Sequence, residues 1–230
     1  MLDPVTNEAP TSTIVDALGW VAGQIKSQHR PAVVNLSLVV TGDNASLCTY
    51  QDALTGLLRA GASVVVAAGN DQGDACRRTG ATLPGVILVG GLSKTDDAWG
   101  SSDLGACVDV LAPAQGVYVV GDDGAASGQN GTSLAAPLVA GAVAQHLEAA
   151  PADSPEAAEG WLVAASTKMT LPCASFGAGS EAFKRCRQTP GRLLYTGDPD
   201  HTVPAPSPFK ALSDWSQRTA DANPCRLVPD

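Results

Sequence analysis

Apolar residues Ile14, Leu18, Val21 and Ile25 recur every three or four positions between Ser12 and Ser27, so the spacing predicts a helix with one apolar face. Thr13 and Asp16 stand where they can cap its start, and Pro31 forbids its continuation. The pattern changes at Ala32. AVVNLSL, residues 32–38, is a nearly continuous apolar run rich in β-branched side chains, as expected of a strand buried on both faces of a parallel sheet. Helical spacing returns at Tyr50, Leu54, Leu57 and Leu58, Gly61 ends that helix, and SVVVAA (63–68) predicts a second buried strand. Further strands are predicted at VILVGG (86–91), CVDVLA (107–112) and VYVV (117–120), a long alanine-rich helix from about Ser133, and an amphipathic helix over 154–165. Strands alternating with helices imply an α/β fold: a mostly parallel sheet flanked by helices. After Thr196 proline and polar residues dominate, which divides the chain into a folded portion, 1–197, and a tail, 198–230, with no internal repeat.

Composition narrows the function classes. With 44% hydrophobic and 16% charged residues the chain can bury a substantial core, so disorder throughout is excluded. A net charge of -9 and a pI near 4.6 argue against nucleic acid or an anionic membrane as partner, since both need clustered Lys and Arg. No apolar run reaches the roughly 18 to 20 residues of a spanning helix, and Leu2-Asp3-Pro4 after Met1 is not an export signal. Six cysteines without any CxxC, far from the three histidines, favour disulfides over a zinc site. Disulfides imply an oxidising compartment, and the missing export signal conflicts with that unless an upstream segment belongs to the protein.

The candidate chemistry is concentrated in NGTSLAAPLVAG, Asn130 to Gly141. Gly131 allows close approach to a ligand, small residues let the helix pack tightly, and Pro137 is expected in the first turn, where its missing N–H costs nothing. Ser133 then sits at the positive end of the helix dipole, suited to developing negative charge. An isolated GTS would be only a helix cap. The whole stretch, however, resembles the active-site serine motif GTSMAAPHVAG of the subtilisin-like serine proteases (subtilases, peptidase family S8), departing only at Leu134 and Leu138.

The resemblance implies a partial subtilisin-like fold lacking its N-terminal strands, and a serine endopeptidase that forms an acyl-enzyme on Ser133. VVVAAGN resembles the subtilase strand that ends on the oxyanion asparagine, which assigns that role to Asn70 with the Ser133 N–H. AVVNLSL resembles the substrate-binding strand, giving Ser37, Leu38 and Val39, with Gly69, as peptide-binding positions. There Val39 and Val40 replace the two glycines of the family pattern and narrow or reroute the cleft. Pro84, Val86 and Asp109 resemble a structural calcium site of the proteinase K-like branch, with waters completing the shell; the chemistry itself requires no cofactor. TPGRLLYT (189–196) resembles a closing strand of the domain. Placements in secreted relatives suggest Cys48 with Cys76, and Cys173 with Cys186 or either with Cys225.

The aspartate and histidine motifs of the family are absent. His29 and His201 fall in a loop and the tail, His146 well along the serine helix, and all three are expected to be solvated. Without a base Ser133 is an ordinary alcohol. Leu2-Asp3-Pro4 resembles the segment that follows the family's histidine helix, so the expected partners are a protein or peptide substrate and an N-terminal segment, upstream or on another polypeptide, carrying Asp and His. The isolated chain is expected to be poorly soluble, inactive alone and derived from a secreted protein. The rival reading is a non-catalytic peptide-binding scaffold; an α/β-hydrolase is disfavoured, as no GxSxG is present.

Overall fold

A computed structural model describes residues 9–195. The tail at 198–230, with His201 and Cys225, and the Leu2-Asp3-Pro4 segment lie outside the described residues. Helix α1 (Thr11–Gln28) leads to strand β1 (Ala32–Leu36), and α2 (Asn44–Arg59) to β2 (Ala62–Ala67). Next come β3 (Val86–Leu92), β4 (Val110–Pro113), β5 (Val117–Val120) and β6 (Ala126–Gln129). The helices α3 (Thr132–Ala149) and α4 (Pro155–Ala165), strand β7 (Thr167–Lys168), helix α5 (Glu181–Gln188) and strand β8 (Arg192–Leu193) complete the order.

The main sheet runs β1-β2-β3-β4-β8-β7, parallel except where β7 pairs antiparallel with β8. Alternation along the central strands builds two cores. Val64, Val66, Val86 and Leu88 pack with Leu18 of α1 and Tyr50, Leu54 and Leu57 of α2. Val65, Ala67, Ile87 and Val89 pack with Ala135, Ala136 and Val139 of α3 and Leu162 of α4. Strands buried on both faces explain why β2 and β3 read as unbroken apolar runs.

Several expectations are corrected. Helix α1 starts after Pro10 with no side-chain cap from Thr13 or Asp16, and it ends on His29 in the left-handed region at φ 52°, before Pro31 is reached. Strand β1 covers only five residues and most of its side chains are half-buried rather than buried on both faces, although its place at the edge of the described sheet is the one expected of AVVNLSL where the N-terminal strands are lacking. In CVDVLA a turn from the Val108 N–H to the Gly105 carbonyl (3.2 Å) delays the strand to Val110. VYVV leaves the main sheet for a hairpin with β6, Tyr118 and Val120 lying exposed on it. The TPGRLLYT strand shrinks to the two residues of β8. Cys76 pairs with Cys107, Cα atoms 5.1 Å apart, which overturns the Cys48–Cys76 pairing; Cys48 is itself disulfide-bonded. Cys173 pairs with Cys186 as anticipated.

Candidate active site

Asn70 and Ser133 meet at the carboxyl end of the parallel strands, the edge at which such sheets bind ligands. Gly131 precedes α3, so Thr132 and Ser133 are its first two residues and their N–H groups have no partner within the helix. Asn70 Oδ1 accepts from the Thr132 N–H and from the Thr132 hydroxyl, both at 2.9 Å, and that hydroxyl accepts from the Gly69 N–H at 3.1 Å. A backbone N–H can only donate, so these bonds fix which end of the amide is oxygen and leave Nδ2 as the outward donor. A Cβ built on Gly131 would lie 3.8 Å from Asn70 Nδ2 and 3.7 Å from Ser133 N. Two donors therefore converge on the open space beside Gly131, where a negatively charged oxygen would be stabilised.

A charged clamp holds the Asn70 loop. The Asp103 carboxylate is buried and accepts from the Asp71 and Gly73 N–H groups at 2.9 and 2.7 Å, while the Asp103 N–H donates to the Gly69 carbonyl at 2.9 Å. Arg78 pairs with Asp103, and its Nε donates to the Ala68 carbonyl at 2.9 Å. Backbone on both sides of Asn70 is thus anchored to one ion pair. Gly69, at φ 116°, cannot be another residue without strain, and a Cβ there would lie 2.6 Å from Asp103 Oδ2. Sequence reasoning missed Arg78 and Asp103: they are separated by 25 positions and match no motif.

Pro137 is the sixth residue of α3, not part of its first turn. It therefore does remove a helical hydrogen bond, the one its N–H would have given to the carbonyl of Ser133. That carbonyl instead accepts from the Ser37 hydroxyl at 2.7 Å, while Asn35 Nδ2 donates to the same hydroxyl at 3.0 Å. The proline thus releases the acceptor that ties segment 37–40 to the serine. Leu38 and Val40 are half-buried and Val39 is exposed, all just beyond the end of β1.

No described histidine reaches Ser133. His146 is on the same helix thirteen residues further, about 20 Å along the axis at 1.5 Å per residue. It is not solvated as expected: the ring stacks on Trp161 with centroids 4.0 Å apart, and Nε2 lies 2.8 Å from Asp153 Oδ2. His29 is exposed, capping α1.

Asp109 is fully buried between β3 and β4. Its Oδ2 accepts from the Leu88 N–H at 2.8 Å, and its own N–H donates to the Leu88 carbonyl at 2.9 Å. The Gly85 carbonyl accepts from Val64 on the opposite side, so the two-residue period of the strand turns the Val86 carbonyl toward Asp109. Among the described residues no three His, Cys, Asp or Glu side chains cluster as metal ligands, so calcium here would depend on Pro84 and Val86 carbonyls, the Asp109 carboxylate and water.

The family model described as the subtilase family matches residues 4–180. The chain belongs to the subtilases. The subtilase is 34% identical over 187 residues to an extracellular serine proteinase of Thermus sp., covering 80% of this chain and 41% of that protein. It is 31% identical over 214 residues to the alkaline serine exoprotease A of Vibrio alginolyticus, covering 91% of this chain and 39% of that protein. The crystal structure of a cold adapted subtilisin-like serine proteinase superposes with a TM-score of 0.70 at 28% identity, over 86% of this chain and 66% of that one. The subtilase therefore spans less than half the length of these two curated relatives. Among the described residues no helix is long and apolar enough to cross a membrane.

Proposed function

We propose that the chain carries the nucleophile and oxyanion hole of an extracellular subtilisin-type endopeptidase, with Ser133 attacking the peptide carbonyl. The observation that carries this reading is the convergence of the Ser133 N–H and Asn70 Nδ2 on the space beside Gly131. A histidine, oriented by an aspartate on polypeptide outside this chain, takes the Ser133 proton as Oγ bonds to the carbonyl carbon. The resulting oxyanion accepts from Asn70 Nδ2 and the Ser133 N–H. The histidine then gives the proton to the leaving amine, and water hydrolyses the acyl-enzyme by the same route. Ser37, Leu38, Val39 and Gly69 line the path of the peptide. A calcium ion held by Pro84, Val86 and Asp109 would serve structure rather than chemistry, and calorimetry on Asp109→Asn should lose the calcium heat that the unmodified chain gives.

Co-expression with an upstream subtilase segment carrying Asp and His tests the reading. Peptide hydrolysis that disappears in Ser133→Ala is the expected result. A folded, stable complex without such hydrolysis would overturn it and favour a peptide-binding scaffold, the second reading, which draws support from the distance between His146 and Ser133.

A further inference from the structure

The cysteines leave one pairing unaccounted for. The chain has six, at positions 48, 76, 107, 173, 186 and 225. Cys76 is bonded to Cys107 and Cys173 to Cys186, and no cysteine among the described residues is free. Cys48 is disulfide-bonded too, and neither of these two bridges includes it. With four cysteines committed to each other, the pairings possible within one chain reduce to a single one, in which the partner of Cys48 is Cys225.

We propose that Cys48 and Cys225 form a third disulfide, which fastens the end of the C-terminal tail to the start of α2 on the edge of the sheet where Ser133 lies. Topology supports this placement. Helix α2 joins the adjacent parallel strands β1 and β2, so it begins at their carboxyl edge and runs back. Cys48 is the fifth residue of α2, half-buried and about 6 Å along the axis from the first. Strand β8 is parallel to β4, so the chain leaves the sheet at the same carboxyl edge. From Tyr195 to Cys225 the chain can reach up to about 95 Å, whereas β8 and β1 are separated by roughly 20 Å of sheet. Closing the bridge joins the two sulfurs and passes two protons and two electrons to a disulfide oxidant, which an oxidising compartment supplies. The bridge anchors the helix that follows segment 37–40, and it keeps the tail attached after a cut at Lys210 or Arg218. It requires nothing of Ser133.

Trypsin separates all six cysteines, because a lysine or arginine lies between each one and the next. The full chain, exported together with the upstream subtilase segment, is blocked with N-ethylmaleimide, denatured, digested without reductant and mapped by mass spectrometry. Residues 219–226 should appear joined to the peptide that carries Cys48 and should separate from it on reduction. Cys48 blocked by the maleimide, or joined to any partner other than Cys225, would overturn the proposal. Cys48→Ser and Cys225→Ser should each lower Tm by about 5 to 15 °C, and the double variant should lower it no further. Additive losses would show that the two sulfurs act separately and would equally overturn it. Where a variant does not fold, the peptide map of the unmodified chain decides.

Discussion

The two ends of α3 hold different polar pairs and put them to opposite use. At its start Ser133 and Asn70 form a donor-lined site that no histidine among the described residues reaches; at its end, about 20 Å along the axis, His146 and Asp153 form a histidine–carboxylate pair. The first is assembled by bonds between segments 62 and 96 positions apart and lies open at the strand ends. The second is local, its histidine and carboxylate seven residues apart, and is closed over by the Trp161 indole. A histidine–aspartate pair is thus no sign of catalysis by itself. What separates the two ends is where the free donors point and whether a ligand can approach.

Activity in a complex that supplies the missing base breaks the comparison most strongly. Ser133→Ala should lower turnover by about 10⁶, the loss seen for the serine of subtilisin itself. His146→Ala at the other end should leave turnover unchanged and show only in thermal unfolding, through the lost indole stack. Equal losses of turnover from both changes would refute the division between the two ends.

Asn70→Ala tests the donor geometry at the first end. In subtilisin, removal of the corresponding asparagine costs about 10² to 10³ in turnover. Here a loss of that size should appear in kcat with little change in KM, because the oxyanion exists only after attack. Asn70 also anchors Thr132, so circular dichroism must accompany the kinetics. A loss confined to KM would assign Asn70 to substrate binding instead.

The link between Pro137 and Ser37 is measurable by a double-mutant cycle. Ser37→Ala takes away the donor to the Ser133 carbonyl and should cost about 1 kcal/mol in urea unfolding. Pro137→Ala restores an N–H aimed at the same carbonyl, so Ser37→Ala should cost less in that background. Additive effects would show that the two residues do not share the carbonyl.

Much of this was legible from periodicity. Val64 to Ala67 and Val86 to Val89 are β-branched or apolar at every position because helices cover both faces, and such runs are recognisable whatever their partners. Asn70 and Ser133 stood out through motifs whose spacing reflects a shared backbone. Three features were beyond reach for physical reasons. A continuous apolar run does not reveal how completely each face is covered, which misjudged the burial of β1. Cysteine spacing leaves pairing open, and Cys76 meets Cys107 only because the loop after β2 folds against the approach to β4. The pairing of Arg78 with Asp103 is a tertiary event between two charges that look solvent-facing in the chain, although Asp103 is among the most buried residues.

The smallest expected effect concerns Tyr50 of α2, buried in the core on the face of the sheet opposite the one that α3 covers. Burial raises the pKa of its phenol above the ordinary value of 10. The unfolded chain therefore releases this proton first as pH rises. Its contribution is fully present below about pH 10 and is lost above it, at up to about 1.4 kcal/mol per pH unit until the folded phenol also ionises. Tyr50→Phe removes both the titration and a buried hydroxyl with no partner, at the cost of a very small cavity. It should raise stability by about 1 kcal/mol near neutral pH and flatten the alkaline decline by the slope just given. Chemical unfolding at pH 7 and pH 11 measures both. A less stable Tyr50→Phe protein at pH 7 would mean that the hydroxyl is bonded in solution, by a buried water.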